Sequence, residues 1–240
     1  MLINRRMEGI MLEKLTALLP MKGHSERIPN KNTNDFCGRK LYHRIMESLL
    51  ASQYIKSVVV NTDSSLIAED VLKHFNRVEI INRPENLRDD LVPMNDVIAH
   101  DLSQLEGGYF LQTHCTNPLL TTQTIEEAIR RYFDNLEKYD SLFSVTKLQE
   151  RLYTKEGDPL NHRAGELLRT QDMPPIFLEN SNLYIFSKAS FEASGGNRVG
   201  SKPLMFEINK LEAIDIDEPE DWMIAESLYA HRIEMPKERG

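Results

Sequence analysis

The sequence predicts an α/β fold in which helices flank a mostly parallel sheet. Short apolar and β-branched runs alternate with amphipathic helical patterns along the chain, which is typical of this class. The run SVVVNT at 57–62 carries consecutive β-branched residues, as expected for a parallel strand buried on both faces. With 240 residues, the chain has the length of a single domain, 1–240, in which we expect residues 1–14 to be a disordered extension.

The predicted elements follow from the hydrophobic pattern and from residues that cap or end them. Apolar runs too short for a lone helix predict strands at 15–21, 57–62, 78–81, 108–112, 141–145 and 204–208. Apolar residues at helical spacing predict helices at 42–53, 66–75, 95–105, 125–136 and 188–193, and a last helix begins at Pro219. Asp63 or Ser64 is expected to cap the second helix, and Thr121 the fourth.

The loop after the first strand, residues 22–32, is the first candidate for a ligand site. Open α/β sheets bind ligands outside the carboxyl ends of their strands. Lys22, Arg27 and Lys31 supply counter-charge for phosphates, and Gly23 allows the backbone to approach a ligand closely. The loop is neither a Walker A loop nor a Gly-x-Gly-x-x-Gly fingerprint. An ordinary polar loop between strand and helix is the alternative.

The second candidate is the acidic stretch at 213–217, which we predict to be a strand. Asp215 and Asp217 alternate with apolar residues, so on a strand both carboxylates face one side. Two carboxylates together with phosphate oxygens form the ligand set that Mg²⁺ prefers. In the alternative interpretation, Asp217 caps the helix that begins at Pro219.

The overall charge limits the classes of partner. A net charge of −8 argues against nucleic acid or an anionic membrane as the main partner. No apolar run approaches the roughly 20 residues of a membrane span. Cys37 and Cys115 lack metal-ligand spacing, and we interpret them as reduced thiols of a cytoplasmic protein.

The loop at 22–32 resembles the signature loop of the acylneuraminate cytidylyltransferases, in which a strand is followed by Arg-Gly-Gly-Ser-Lys-Gly-Ile-Pro-x-Lys-Asn. Lys22 replaces the first arginine and keeps its charge. Glu26 stands at the lysine position and Arg27 at the following glycine position, so that the cation moves by one residue. The matching residues are Gly23, Ser25, Ile28, Pro29, Lys31 and Asn32.

Further blocks follow in the family's order, and the resemblance covers about 15–228. Arg83 begins an Arg-Pro pair that resembles the family's nucleotide contact; without the resemblance it would be a solvated arginine in a turn. The strand end at 112–118 resembles the family's Leu-Gln-Pro-Thr-Ser-Pro. Either Gln112 or His114 stands at its glutamine position, and His114 could also be an ordinary loop residue.

Two blocks resemble the part of the family that binds the sugar acid. Arg169 matches the first arginine of an Arg-Arg-x-Asp-Leu-Pro-Pro segment, whose second arginine is Thr170 here. Asn180 matches a site residue on a family strand, where Ser181 and Asn182 replace Gly-Ala. These replacements indicate an acceptor other than ordinary N-acetylneuraminate.

The resemblance implies a Rossmann-like nucleotidyltransferase domain that forms a homodimer through a small lobe, for which 147–208 is the candidate. It implies transfer of CMP from CTP to the anomeric hydroxyl of a 2-keto-3-deoxy sugar acid of the sialic, legionaminic or pseudaminic type, with release of pyrophosphate. The implied nucleotide-binding residues are Lys22, Gly23, Ser25, Arg27, Lys31, Asn32 and Arg83; the sugar-acid residues are Gln112, His114, Arg169 and Asn180; Asp215 and Asp217 bind Mg²⁺. Catalysis is assigned to Lys22, Lys31, Asp215 and Asp217, with one of the aspartates or a hydroxyl at the cation as general base.

Two alternatives to this function stay open. A 3-deoxy-manno-octulosonate cytidylyltransferase would have a similar fold and a different sugar pocket. A CTP-binding module without turnover would account for Glu26, Met94 and Thr170, which depart from the family pattern. Mg²⁺-dependent release of pyrophosphate separates an enzyme from such a module.

Overall fold

The computed structural model describes residues 13–163, 165 and 168–234. Its strands are β1 (Leu15–Leu18), β2 (Asp35–Phe36), β3 (Arg39–Lys40), β4 (Ile55–Thr62), β5 (Val78–Asn82), β6 (Tyr109–Thr113), β7 (Ser141–Leu148), β8 (Ile176–Ser187) and β9 (Pro203–Glu207). Its helices are α1 (Leu41–Ala51), α2 (Ser65–His74), α3 (Met94–Gln104), α4 (Thr122–Phe133), α5 (Lys188–Ala193) and α6 (Pro219–Glu234). Nearly all of the extension predicted at 1–14 lies outside the described residues.

Seven strands form one sheet in the order β5-β4-β1-β6-β8-β7-β9. All neighbours run parallel except β8, which is antiparallel to both β6 and β7. The predicted α/β class with a mostly parallel sheet is therefore confirmed. Because β1 lies between β4 and β6, the loops that leave the carboxyl ends of these three strands meet at one edge of the sheet.

The core has one apolar layer on each face of the sheet. Ala17 of β1 belongs to the layer that α1, α2 and α4 cover, while its neighbour Leu18 belongs to the layer that α3 and α5 cover. Both residues are fully buried, as the continuous apolar run of a two-sided strand predicts. None of the helices in the described part of the chain combines the length and the apolar composition needed to cross a membrane.

The helix ends show which capping predictions hold. Ser64 caps α2 by accepting a hydrogen bond from the Ile67 amide, so the cap is Ser64 rather than Asp63. Thr121 caps α4 as predicted. At the start of α6, Asp221 Oδ2 accepts hydrogen bonds from the amides of Asp217 and Glu218, at 3.1 and 2.8 Å.

The strand predicted at 213–217 is wrong. These residues form a turn and an extended segment outside the sheets. The amide of Ile216 donates to the Thr116 carbonyl at 2.9 Å, and Lys31 Nζ donates to the Ile216 carbonyl, so a side chain takes the place of a neighbouring strand. Ile216 is nevertheless buried, in a small cluster with Phe36 and Leu119, whereas Asp215 and Asp217 on either side of it are only partly buried.

The range 147–208, the candidate lobe, contains several kinds of structure. β8, α5 and β9 belong to the central sheet and its helical layer. The start of β8, Ile176–Glu179, pairs with the end of β7 and extends past the part of β8 that pairs with β6. In the described part of 149–175, a short 3-10 helix at Thr170–Asp172 is the longest helical stretch. Dimerisation through this region stays a prediction.

Candidate active site at the carboxyl ends of β1, β4 and β6

Asn32 holds the two ends of the loop after β1 together. Asn32 is buried, and its Nδ2 donates to the Lys22 carbonyl at 2.8 Å, which joins the two ends of the loop. The Cys115 thiol, at the end of β6, donates to Asn32 Oδ1 at 3.0 Å. Burial raises the pKa of Cys115 to about 12, so the thiol keeps the proton that it donates. Asn32 therefore shapes the loop in this structure.

Gly23 is required by the close approach of the loop to α2. Its amide donates to Asp63 Oδ1 at 2.7 Å. A Cβ atom at this position would lie only 2.8 Å from Ser64 Cβ, which is closer than real side chains allow. The glycine thus packs the loop against the residues that follow β4.

The cations of the loop all contact acidic or carbonyl oxygens. Lys22 Nζ lies 2.6 Å from Asp90 Oδ1 and donates to the Asp89 carbonyl. Arg27 lies 2.8 Å from Asp217 Oδ1, and Lys31 Nζ lies 3.5 Å from the same atom. Lys31 is largely covered, whereas Arg27 is half exposed; Ser25, two residues before Arg27, is partly buried. The loop and the acidic stretch, predicted separately, meet here.

Asp215 and Asp217 differ in environment. Burial raises the pKa of the Asp215 carboxyl; a hydrogen bond from Thr116 opposes the shift, and the charge of Asp217 adds to it. Asp215 Oδ1 is buried and has no hydrogen-bond partner in the described part of the chain. A buried carboxylate oxygen without a partner is costly unless a cation reaches it. The donor set therefore fits a hard divalent cation such as Mg²⁺.

Arg83 is buried beside the carboxyl end of β4. It is 2 % exposed, and its Nε donates to Asn61 Oδ1 at 2.6 Å. Asn61 in turn donates to Asp101 Oδ1 at 2.5 Å. Burial lowers the pKa of Arg83, although Asp63 and Asp101 oppose that shift. The alternative of a solvated turn arginine is wrong, and Arg83 supports the ends of β4 and β5.

Gln112 and His114 form one cluster with an arginine that the sequence did not single out. Arg198 Nη1 donates to Gln112 Oε1 at 2.9 Å, and its guanidinium lies 3.9 Å from the centre of the Tyr184 ring. Gln112 Nε2 lies 3.2 Å from His114 Nε2. Burial and the charge of Arg198 lower the pKa of His114 to about 4, so the imidazole is neutral at pH 7.

Asn180 and Asp215 line one groove of about 420 Å³, together with Ser181 and Lys210. Asn180 is held by Ser144, which donates to its Oδ1 at 2.6 Å, and its Nδ2 donates to Thr146 Oγ1. Of the two bulkier replacements, Ser181 lines the groove, whereas Asn182 is fully buried. The groove is the candidate place for a substrate beside the acidic pair.

Arg169 is placed on the surface. Its guanidinium forms a two-point ion pair with Asp172, with contacts of 2.6 and 3.1 Å, and its side chain is 72 % exposed. This pair lies between β7 and β8, in residues 149–175, which we call the irregular segment. A role for Arg169 in binding the sugar acid stays a prediction.

Relatives of known activity are similar along most of the chain. A pseudaminic acid cytidylyltransferase of Campylobacter jejuni is 27% identical over 231 residues, which cover 90% of this chain and 96% of that protein. A CMP-N,N'-diacetyllegionaminic acid synthase of Legionella pneumophila is 25% identical over 225 residues, with 90% and 96% covered. An N-acylneuraminate cytidylyltransferase of Escherichia coli is 27% identical over 233 residues, but this region is only 52% of that longer protein.

Solved structures share the fold. A CMP:2-keto-3-deoxy-manno-octonic acid synthetase in complex with CTP superimposes with a TM-score of 0.66 at 12% identity, covering 92% of this chain and 100% of that one. A cytidylyltransferase from Leptospira borgpetersenii gives a TM-score of 0.63 at 15% identity, covering 95% and 90%. The model of the cytidylyltransferase family matches residues 16–229, nearly all of the described domain. The chain therefore belongs to the cytidylyltransferase family, as its resemblance to the acylneuraminate enzymes implied.

Proposed function

We propose that this enzyme transfers CMP from CTP to the anomeric hydroxyl of a 2-keto-3-deoxy nonulosonic acid and releases pyrophosphate. The family supplies the reaction class, and the names of the relatives support the class of acceptor. The observation that carries the proposal is the meeting of the cationic loop with the acidic pair, seen in the contacts of Arg27 and Lys31 with Asp217.

The triphosphate binds to the loop at 22–32. Lys22, Arg27 and Lys31 form ion pairs with carboxylates, and each can exchange its acidic partner for a phosphate oxygen when another cation compensates the released carboxylate. Gly23 and Asn32 keep the loop in shape, and Ser25 is a partly buried residue of the same loop. Arg83 supports the site indirectly, by donating a hydrogen bond to the Asn61 side chain. Transfer of this kind depends mainly on positioning and charge neutralisation.

Asp215 and Asp217 would hold Mg²⁺. The partnerless oxygen of Asp215 and the neighbouring charge of Asp217 are the support for this assignment. When bound, the cation neutralises charge on the phosphate oxygens and on the leaving pyrophosphate. Arg27 and Lys31, which share Asp217 in this structure, are then available to the triphosphate.

The sugar acid occupies the region between the groove and the Gln112 cluster. Asn180 is oriented by two hydroxyl groups and faces the groove that Asp215 also lines. Arg198 offers a cation of fixed orientation beside Gln112 and the neutral His114. A planar guanidinium matches a carboxylate in two hydrogen bonds, so Arg198 is a second candidate, with Arg169, for the acid group.

We further propose a homodimer formed through the irregular segment and the start of β8. This region exposes a series of large apolar side chains: Tyr153, Leu160, Leu168, Phe177 and Leu178. Exposed large apolar side chains concentrated in one region are a feature of many protein–protein interfaces. The same strand, β8, also lines the groove through Leu178 and Asn180. The proposed dimer interface and the proposed substrate site therefore share one element.

The test is release of pyrophosphate from CTP over a panel of acceptors: pseudaminic, legionaminic and N-acetylneuraminic acids and 3-deoxy-manno-octulosonate. We expect turnover on a nonulosonic acid that requires Mg²⁺ and that Asp215→Ala abolishes. Activity confined to 3-deoxy-manno-octulosonate would establish the first alternative. Tight binding of CTP without turnover on any acceptor would establish the binding module. Full activity on N-acetylneuraminate with no gain on its relatives would contradict the interpretation of the Ser181 position.

A further inference from the structure

A second group of metal-ligating side chains lies between α1 and α2. His43 of α1 faces Asp70 and His74 of α2, and one ligand atom from each residue lies within 4.8 Å of the other two. Among the contacts described for these residues, none reaches the loop at 22–32 or the acidic pair. The proposed transfer reaction makes no use of this group.

The distances suit a small cation. His43 Nε2 lies 2.9 Å from Asp70 Oδ2, and His74 Nδ1 lies 3.3 Å from Asp70 Oδ1. Ligands at bond lengths of about 2.0–2.2 Å around a tetrahedral ion are separated by roughly 3.3–3.6 Å. Rotations of the side chains would bring the three ligand atoms, now within 4.8 Å of one another, around one ion. His74 Nδ1 would exchange its hydrogen bond to the Asp70 carbonyl, at 2.8 Å, for the metal.

The ligand types select the class of metal. Two imidazole nitrogens and one carboxylate suit Zn²⁺ and similar transition metals, whereas Mg²⁺ prefers oxygen ligands throughout. His43 is buried and His74 is exposed, so the remaining coordination position opens towards solvent. The edge of the His43 ring also packs against Phe75, which shields one side of the group.

Other groups already contact the carboxylate of Asp70. Lys40 Nζ lies 2.7 Å from Asp70 Oδ1 and competes with a cation, but its side chain is 37% exposed and can move into solvent. The Tyr42 hydroxyl donates to Asp70 Oδ2 and orients it, as the outer partners of metal ligands do. A metal ion at His43 Nε2 would replace the hydrogen bond that this nitrogen forms with Asp70 Oδ2. The ring would then carry its proton on Nδ1, which is buried without a partner in the described part of the chain.

We propose that His43, Asp70 and His74 bind a transition-metal ion of the Zn²⁺ class at a site separate from the Asp215–Asp217 pair. The ion joins α1 to α2, the two helices that follow β3 and β4. Its binding would therefore stabilise the fold rather than take part in the transfer reaction.

The experiment is a titration of tag-free, EDTA-treated protein with Co²⁺, followed by visible absorption, and with Zn²⁺, followed by thermal unfolding. We expect one saturable site whose visible band indicates four or five ligands, and a rise in Tm with Zn²⁺ that equimolar Mg²⁺ does not produce. His74→Gln changes an exposed side chain and should weaken binding about tenfold or more, as loss of one ligand does. Lys40→Met removes the competing ammonium and should tighten binding.

His231→Gln is the matched control, because His231 is an exposed helical histidine outside the group. Its binding should equal that of the unaltered protein. The proposal is overturned if no saturable site is found, or if His74→Gln binds as tightly as His231→Gln. Loss of the visible band in Asp215→Ala, with His74→Gln unaffected, would assign the ion to the acidic pair and would equally overturn it.

Discussion

At the scale of single residues, the Asp215 carboxylate lowers the stability of the fold but suits the cation site that we propose. Its side chain is partly buried, its Oδ1 is fully buried without a partner in the described part of the chain, and burial raises its pKa. Asp217, two residues on, is balanced instead by Arg27 and Lys31. A buried charge of this kind is retained in an enzyme when a ligand compensates for it.

Asp215→Asn should therefore separate stability from activity. Turnover should fall on the order of 100-fold or more, because the charge that holds the cation is lost. In metal-free buffer the variant should be at least as stable as the unaltered protein. Because burial raises the pKa of Asp215 in the folded protein, the cost of the carboxylate is absent well below its ordinary pKa of 3.8 and grows as the pH rises from there through the folded pKa.

The stability of both proteins should be measured by urea unfolding in EDTA between pH 3 and pH 7. The advantage of Asp215→Asn should increase with pH over this range. Asp158→Asn, at an exposed loop position, serves as the control and should change neither quantity. A variant that loses stability at pH 7 would show that Asp215 is compensated within the chain.

Arg198 allows a test of how the acid group is bound. Arg198→Met should raise the KM for the sugar acid about 10- to 100-fold, because a hydrogen bond to a charged group contributes about 1.5–3 kcal/mol. The KM for CTP should change little. Arg169→Met is the comparison, since the sequence assigned the same role to Arg169. A rise in KM for the sugar acid with Arg169→Met alone would exclude Arg198 and favour a rearranged segment before β8.

At the scale of elements, the start of α6 positions the acidic pair. Asp221 Oδ2 accepts from the amides of Asp217 and Glu218 and so ties the segment that carries Asp217 to the first turn of the helix. The only backbone hydrogen bond described between this segment and β6's loop is the one from Ile216 to Thr116. The geometry of the pair thus depends on a helix cap as well as on a strand end.

Asp221→Ala should destabilise the fold by about 1 kcal/mol, the usual cost of a lost cap. It should also raise the Mg²⁺ concentration for half-maximal activity several-fold, because the Asp217 segment is released. Glu220→Ala is a matched control: it removes a neighbouring acidic side chain, which is exposed. Equal Mg²⁺ dependence in the two variants would contradict the role of the cap.

The same scale shows why some elements could be predicted and others could not. The run at 57–62 predicted β4 because its β-branched residues are specified locally, and Thr121 predicted a cap because its partner is only three residues away. The acidic stretch at 213–217 alternates as a strand does, yet Lys31 and Thr116 provide its partners, and neither is visible in the local pattern.

Arg198 was missed for the same physical reason. Its partners, Gln112 and Tyr184, lie on β6 and β8, which become neighbours only through the antiparallel insertion of β8 into the sheet. A single cation after a Gly-Gly turn carries no local signal for that contact. The residues of the loop at 22–32 could be found because their spacing in the sequence is itself the pattern.

At the scale of the whole molecule, the proposed dimer interface and the proposed substrate groove share the start of β8. Leu160 and Phe177 are exposed apolar residues of this region, and Leu178 lies in the wall of the groove. The central sheet has no such surface on its covered faces, where α1, α3 and α4 bury their apolar residues. This region is the interface that we propose for the dimer.

Leu160→Asp should convert the protein to a monomer, measured by light scattering after size-exclusion chromatography, because a charge is introduced at an apolar interface. Leu66→Asp is the control: Leu66 is 76% exposed on α2, remote from this segment in the chain. It should leave the mass unchanged. A monomeric unaltered protein, or a dimer that Leu66→Asp alone disrupts, would place the interface elsewhere or remove it.

The central claim is that this fold joins CMP to a sugar acid, and ³¹P NMR of the complete reaction tests it most directly. CTP, Mg²⁺ and a nonulosonic acid that supports turnover should yield one new phosphodiester resonance and pyrophosphate in equal amounts. The phosphodiester should be absent when Asp215→Asn replaces the unaltered enzyme. CDP with inorganic phosphate, or CTP that stays intact in the presence of every acceptor, would contradict the account.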